Sequence, residues 1–240
     1  MQLFYHADID EHTTSFFFER EESQHIVKVL RKKEGDLLYV TNGKGWLFET
    51  QIALASPKKC EVSILKYEYK TPRSYYLHLV VAPTKMNERY EWFLEKAVEI
   101  GVDEITPIIC HHSERQVIKN ERFEKIIQSA MKQSLQCFLP KLNVAVASAD
   151  FFQQMKNDDS AKFIAHCQEG TKYLFSNRLK PFPEKITVLI GPEGDFSTEE
   201  IKMALQGYFL PISLGDNRLR TETAGIVACD VVSICSKLEI

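Results

Sequence analysis

The chain has 240 residues, 44% hydrophobic and 26% charged, with a formal net charge of −3. That balance excludes a disordered or fibrous chain and leaves material for one large or two modest cores. No apolar run approaches the roughly 20 residues of a membrane helix, and the opening Met1–Asp8 has no basic start followed by an apolar stretch, so a cytoplasmic protein with no membrane partner is expected.

Neither the first 70 residues nor the remainder is basic, so an RNA-binding surface would have to be a local patch. The six cysteines are scattered, with no C-x-x-C pair and no histidine at zinc-finger spacing, and they read as reduced thiols with no metal site.

Up to about Lys70 the chain reads as β structure. Short apolar or alternating runs (Ser15–Phe18, Leu37–Thr41, Trp46–Ala53, Cys60–Leu65) alternate with Glu34-Gly35-Asp36, Asn42-Gly43-Lys44-Gly45 and Ser56-Pro57. Asn42-Gly43 between two such runs predicts a hairpin. One helix interrupts, with Ser23 as its N-cap before Gln24–Arg31. A small β-barrel domain over residues 1–70 is expected. It carries Lys28, Arg31, Lys32 and Lys33, a candidate phosphate patch.

Glu68–Ser74 reads as a linker. A second domain, 71–240, then alternates strands and helices: strand Tyr76–Ala82, helix Asn87–Ile100 closed by Gly101, strand Glu104–Cys110, helix Glu121–Ser134, strand Leu142–Ala147, helix Ala149–Met155, and strands Lys162–Cys167 and Lys185–Ile190. Helix Thr198–Gln206 follows, opened by the capping box Ser197-Thr198-Glu199-Glu200, and then strand Tyr208–Leu214 and helix Thr221–Leu238. This alternation predicts an α/β fold with a mostly parallel sheet. In the last helix Ala224, Ile226, Val227, Ala228, Val231, Val232, Ile234 and Cys235 cover every side and only Asp230 interrupts. Such a helix is expected to be buried all round, which a homodimer would help to achieve. Trp46 and Trp92, each in an apolar-periodic segment, are expected in the core.

Two strand-to-helix loops carry glycine: Gly191-Pro192-Glu193-Gly194 and Leu214–Arg220. At the same end of one sheet they would line one pocket. Neither fits the G-x-G-x-x-G, G-x-x-x-x-G-K-[ST] or G-x-S-x-G patterns.

Leu189-Ile190-Gly191-Pro192-Glu193-Gly194, the capped helix, Leu214-Gly215 and Leu219-Arg220-Thr221-Glu222-Thr223-Ala224 together resemble the signature of the bacterial ribosomal RNA uridine-N3 methyltransferases. These are S-adenosylmethionine-dependent enzymes of the small-subunit 16S RNA, in the knotted SPOUT class. The similarity extends to Glu95–Val102, Ile105-Thr106-Pro107, Ser113-Glu114-Arg115 and, in the first domain, His25 with Val29-Leu30-Arg31.

The resemblance implies a PUA-like β-barrel followed by a SPOUT methyltransferase domain whose C-terminal segment forms a trefoil knot, and a homodimer. It implies S-adenosylmethionine on Leu189, Ile190, Gly191, Pro192, Glu193, Gly194, Leu214, Gly215, Leu219, Arg220, Thr221, Thr223 and Ala224. Uracil N3 is not nucleophilic while it keeps its proton, so Arg220 is the candidate for stabilising negative charge on the base. Glu222 is the candidate for accepting a proton or orienting Arg220. His25, Lys28, Arg31, Lys32, Lys33, Arg89, Arg115 and Arg218 are the candidate contacts to 16S rRNA in the small subunit.

The chain departs from the family pattern at Asp195, where a glycine is usual, and at Asn217, where an arginine is usual and Arg218 follows instead. It departs again at Lys132 and Gln136. Two other readings remain at this point: a SPOUT methyltransferase with another RNA target, and a non-enzymatic RNA-binding or assembly factor on the same fold.

Overall fold

The computed structural model describes residues 2–238, which divide into two compact units. One runs up to Pro72 and also takes in Met131–Leu139; the other comprises Arg73–Ala130 and the chain from Pro140 onward.

The first unit holds β1 (Leu3–Tyr5), β2 (Ser15–Phe17), α1 (Arg20–Gln24), β3 (Leu37–Thr41), β4 (Trp46–Leu54) and β5 (Glu61–Tyr69). Its sheet has the order β1-β3-β4-β5-β2, antiparallel except for the parallel β1–β3 pair. Among the described residues no ladder joins β1 to β2. Aromatic side chains meet across that gap instead, with Phe4 against Phe18 at 5.7 Å and His6 against Phe16 at 4.7 Å between ring centroids. The sheet therefore closes on itself through packing rather than hydrogen bonds.

Asn42 turns the β3–β4 hairpin as its sequence predicts: its Oδ1 accepts the Lys44 N–H at 2.9 Å, and Gly43 has φ 72°. Ser23 is not a cap. The helix starts earlier, at Arg20, and continues past α1 as a π turn over His25–Val29. Ser23 lies inside it, fully buried, and its hydroxyl donates to the Phe18 carbonyl and accepts the Cys60 N–H, both at 2.9 Å.

In the second unit the elements are β6 (Tyr76–Val81), α2 (Asn87–Ile100), β7 (Glu104–Ile109), α3 (Asn120–Gln133), whose last turn belongs to the first unit, and the short β8 (Lys141–Leu142) and β9 (Val146–Ala147). Then come α4 (Ser148–Gln154), β10 (Ala161–Ala165), β11 (Tyr173–Leu174), β12 (Lys185–Ile190), α5 (Thr198–Gln206), β13 (Leu210–Ser213) and α6 (Thr221–Leu238). The sheet order is β11-β13-β10-β12-β6-β7-β8, with β9 also on β7, and every pairing is parallel. β6, β7 and β8 extend to one side of β12, and β10 and β13 to the other. The direction of winding thus reverses beside β12, the place where an open parallel sheet leaves a crevice at its carboxyl ends.

One face of the sheet packs Val80, Ile108, Ile164 and Leu189 against Phe151 and Phe152 of α4 and Ile201 and Ala204 of α5. The other face is covered by α2 and α6. These two helices approach so closely that a Cβ on Gly225 would lie 2.7 Å from the Phe93 ring. The predicted cap of α5 is complete: Ser197 Oγ accepts the Glu200 N–H, and the Glu200 carboxylate accepts the Ser197 N–H.

Three expectations change. Within the chain α6 is buried along one face only: Ala228, Cys229 and Val232 are buried, whereas Ile234 is 50% exposed and Ile226, Val227 and Val231 are half-buried. Its small residues pack on α2 and the sheet, and among the described residues the opposite side stays partly exposed. Trp92 is 47% exposed, because α2 turns Phe93 and Leu94 inward instead. The predicted strand Leu142–Ala147 is two short pieces, β8 and β9, separated by residues 143–145.

Candidate active site

The loops following β10, β12 and β13 emerge at the carboxyl ends of three adjacent parallel strands and enclose a cavity of about 630 Å³. Ile190, Gly191, Pro192, Glu193 and Asp195 form one wall, and Leu214, Gly215, Arg218, Leu219, Arg220, Thr221 and Ala224 form a second. A third wall, Ala165, His166, Cys167 and Lys172, has no counterpart among the sequence-predicted residues. The volume lies in the range of small-molecule sites.

The glycine loop is shaped by packing. A Cβ on Gly191 would lie 2.9 Å from the Phe196 ring, and one on Gly194 would lie 2.9 Å from His112 Cβ. Either side chain would push the loop off the ring or the histidine that fixes its path. Thr221, buried at the start of α6, donates from Oγ1 to the Gly191 carbonyl at 2.9 Å, so the first two walls are joined directly. The Glu193 carboxylate accepts the Lys85 N–H at 3.0 Å.

Asp195 takes the left-handed backbone, φ 63°. That conformation explains why a glycine suits the position, and aspartate is among the few other residues that tolerate it. Its carboxylate accepts the Cys167 N–H at 2.8 Å and the Phe196 N–H at 2.9 Å, while its carbonyl meets His112 Nδ1 at 3.0 Å. Gln168 Nε2 donates to the Phe196 carbonyl at 3.1 Å. The third wall is thus stapled to the first. Behind it, the Glu200 carboxylate accepts from Ser148 Oγ at 2.7 Å and from the His111 N–H at 2.9 Å. Burial alone would raise the Glu200 pKa, but the hydrogen bonds from Ser148 and the Ser197 and His111 amides outweigh it and hold the carboxyl below its ordinary value.

Of the residues singled out in the sequence, Leu189 lies in the sheet core, and Gly194 and Thr223 do not line the cavity. Arg220 lines it and is exposed. Its carbonyl accepts the Ala224 N–H at 2.8 Å, which places it at the start of α6. Glu222 does not line the cavity. It is buried, its Oε1 lies 3.8 Å from Arg89 Nε, and its Oε2 has no hydrogen-bond partner. Arg115 spends its guanidinium on the loop after β6, donating to the Thr84 carbonyl at 3.2 Å and the Lys85 carbonyl at 2.8 Å. Arg218 reaches the Glu193 carbonyl at 3.5 Å.

In the first unit Arg31, Lys32 and Lys33 line a shallow hollow of about 480 Å³, with His25 and Lys28 exposed on the preceding turn. Arg31 is left-handed, φ 54°, where the helical segment ends.

The cavity suits S-adenosylmethionine. Its glycine walls leave backbone groups accessible to a flat base, Gly215 at φ 134° faces open space, and the volume accommodates a nucleoside with an amino-acid tail.

A family model described as an RNA methyltransferase domain matches residues 71–233, and one described as an RNA methyltransferase PUA domain matches residues 18–65. The chain is 31% identical over 236 residues to ribosomal RNA small subunit methyltransferase E of Buchnera aphidicola (subsp. Acyrthosiphon pisum), covering 95% of this chain and 90% of that one. Among solved structures, a probable rRNA methyltransferase from Porphyromonas gingivalis superposes with a TM-score of 0.89 at 39% identity, over 100% of both chains. A methyltransferase from Legionella pneumophila, solved with its bound cofactor SAM, has a TM-score of 0.84 at 28% identity, over 97% of this chain and 96% of that one. With a two-part architecture, a three-walled cavity and matches along almost its whole length, the chain belongs to the ribosomal RNA small subunit methyltransferase E family of RNA methyltransferases.

Proposed function

We propose that this protein transfers a methyl group from S-adenosylmethionine to N3 of a uridine in the 16S rRNA of the small ribosomal subunit, in the cytoplasm. The observation that carries the reading is the cavity at the carboxyl ends of β10, β12 and β13, walled by both glycine loops and opening onto an unpaired arginine. The cofactor, when bound, supplies an electrophilic methyl group.

The protein's own contribution is positioning and electrostatics. The backbone of Ile190–Glu193, of Leu214–Thr221 and of Ala224 holds the adenosine. Arg220 has no hydrogen-bond or ion-pair partner for its guanidinium among the described residues, so it is available to a base at the cavity mouth. There it stabilises negative charge on a uracil carbonyl as N3 gives up its proton, and holding the base in line supplies much of the acceleration. Glu222 acts through Arg89, whose guanidinium it holds near the first turn of α6.

The reading extends to three further features. His25, Lys28, Arg31, Lys32 and Lys33 contact rRNA phosphates, with Arg89, Arg115 and Arg218 nearer the base. Residues 1–70 form the RNA-binding domain and 71–240 the catalytic domain, in which the chain after β12 threads a trefoil knot. Supporting the knot, the segment after β13 passes against the loop after β12, where Thr221 bonds Gly191. The protein works as a homodimer, which the uncovered apolar side of α6 and the exposed Trp92 on neighbouring α2 support.

The test is methyl transfer from labelled cofactor to small subunits lacking the modification, followed by nucleoside mapping. Label in 3-methyluridine of 16S rRNA is expected. Label in another nucleoside or another RNA would replace the target assignment, and no transfer to any RNA would remove the activity.

A further inference from the structure

The first unit carries a row of four aromatic side chains that the mechanism above leaves unused. Tyr67 and Tyr69 lie two positions apart on β5, so both project from one face of the strand. Opposite them in register on β4 stand Phe48 and Trp46. Phe48 is fully buried and Trp46 half-buried against the core of the unit. β3 ends at Thr41, opposite Leu47, so β4 and β5 run on past it and the tyrosines stand where the core has ended. Tyr67 is 49% and Tyr69 53% exposed.

The rings touch in sequence: Tyr67 to Trp46 at 5.4 Å, Trp46 to Tyr69 at 5.2 Å and Tyr69 to Phe138 at 6.1 Å between centroids, at interplanar angles of 81°, 68° and 87°. Edge-on contacts hold rings in place without pairing them face to face, which leaves flat surface to a ligand. Gly45 keeps the row closed up: a Cβ there would lie 2.6 Å from both the Tyr69 and Phe138 rings.

Exposed aromatic faces on neighbouring antiparallel strands are a means by which a sheet takes up unpaired bases. The spacing selects a single strand. Residues two apart on a strand are separated by roughly 6.8 Å, about twice the roughly 3.4 Å rise between stacked nucleotides, so bases seated on Tyr67 and Tyr69 must be unstacked from each other. Cations stand at the same end of the two strands, where the Lys70 N–H donates to the Gly45 carbonyl at 2.8 Å. Lys70 is paired with Glu68. Lys44 is exposed, and among the described residues its ammonium reaches only the Ala7 carbonyl, at 3.4 Å, so it is free to meet a phosphate.

We infer that Trp46, Tyr67 and Tyr69 form a stacking platform for unpaired bases of the RNA substrate. It is distinct from the hollow at Arg31–Lys33, which is lined by Ala55 at the opposite end of β4. The occupant rests on RNA being the substrate, as proposed above, and the platform adds that a single-stranded segment of that RNA is held by the first unit.

Fluorescence anisotropy on the full chain tests it with a labelled single-stranded oligouridylate and a duplex RNA of the same length. Tyr67→Leu and Tyr69→Leu keep apolar bulk but lose the π face. Each should weaken the single strand by roughly ten-fold, leave the duplex within about two-fold and leave the dependence on salt unchanged, whereas Tyr67→Phe and Tyr69→Phe should bind as the wild type does. With Trp92→Phe leaving Trp46 as the one remaining tryptophan, the single strand should quench its emission. Leucine variants that bind the single strand as the wild type does, equal losses for the two RNAs, or an emission that does not change overturn the platform. Leucine variants that keep RNA affinity but lose self-association by light scattering overturn it as well and assign the row to a second copy of the chain. Wild-type protein that binds neither RNA and methylates no ribosomal subunits overturns the RNA reading itself, an outcome distinct from an active enzyme whose leucine variants keep the same KM for subunits.

Discussion

Thr221 Oγ1 and the Gly191 carbonyl, 2.9 Å apart, join residues 30 positions apart in the chain. One sits at the start of the last helix and the other at the turn that follows β12. Thr221 is 5% exposed, so the bond is shielded from water and fixes the separation of two cavity walls. Thr221→Val keeps the volume and removes the donor, leaving a buried carbonyl unsatisfied. A loss of about 1–3 kcal/mol is expected, with weaker cofactor binding, whereas Thr221→Ser should bind nearly as the wild type does. Denaturant unfolding and calorimetry of the three proteins check this; equal cofactor affinity in all of them would show that the tie does not shape the pocket.

Arg220 is expected to act on the reaction rather than on the fold, because its side chain is exposed and, among the described residues, makes no hydrogen bond or ion pair. Arg220→Ala should lower kcat by roughly 100-fold while leaving stability within about 0.5 kcal/mol. Single-turnover methyl transfer with cofactor saturating separates the chemical step from binding. Full activity in this variant would leave Arg218, the other arginine on that wall, as the residue that meets the base.

Much of this arrangement is legible in the sequence because it is locally encoded. The Ser197–Glu200 capping box, the end of α2 at Gly101 and the strand before Gly191 all follow from a few adjacent residues. What is not legible depends on long-range closure. Met131–Leu139 joins the first unit through contacts such as Thr41 Oγ1 donating to the Cys137 carbonyl at 3.2 Å, a pairing of residues 96 positions apart. The third cavity wall was missed for the same reason. Ala165-His166 ends a strand whose place beside β12 and β13 is set by parallel crossovers, and no local motif marks it. The signal within reach was a histidine directly after an apolar strand that points toward the same end as the two glycine loops.

Asp195 reconciles the departure from the family's usual glycine with the geometry. Asp195→Gly relieves the left-handed backbone, worth up to about 1–2 kcal/mol, but removes the acceptors for the Cys167 and Phe196 amides. The staple should then open: the Cys167 amide is expected to exchange with solvent faster, and cofactor affinity to fall. Asp195→Asn, which keeps one carbonyl acceptor, should fall between. Hydrogen exchange resolved at Cys167 is the measurement, and unchanged protection in the glycine variant would mean that Gln168 alone holds the wall.

Far from the cavity, Glu104 makes the second unit sensitive to acid. Its carboxylate accepts from Asn143 Nδ2 at 2.6 Å, Tyr76 Oη at 2.8 Å and Lys141 Nζ at 2.9 Å. Burial would raise its pKa, but these donors outweigh burial and lower it from 4.5 to about 2. A carboxyl with a lower pKa in the folded state than in the unfolded state stabilises the fold fully above the unfolded value. That contribution is lost as pH falls through the folded value, so it should fade between about pH 4.5 and pH 2. Glu104→Gln keeps the shape but removes the charge, and at pH 7 it should cost about 1–3 kcal/mol. Because the wild type loses the same interaction on protonation, the gap between the two proteins should narrow steadily across that window. Urea unfolding of both proteins at a series of pH values measures it; a gap that stays constant from pH 7 to pH 2.5 would show that Glu104 holds the strands by shape and not by charge.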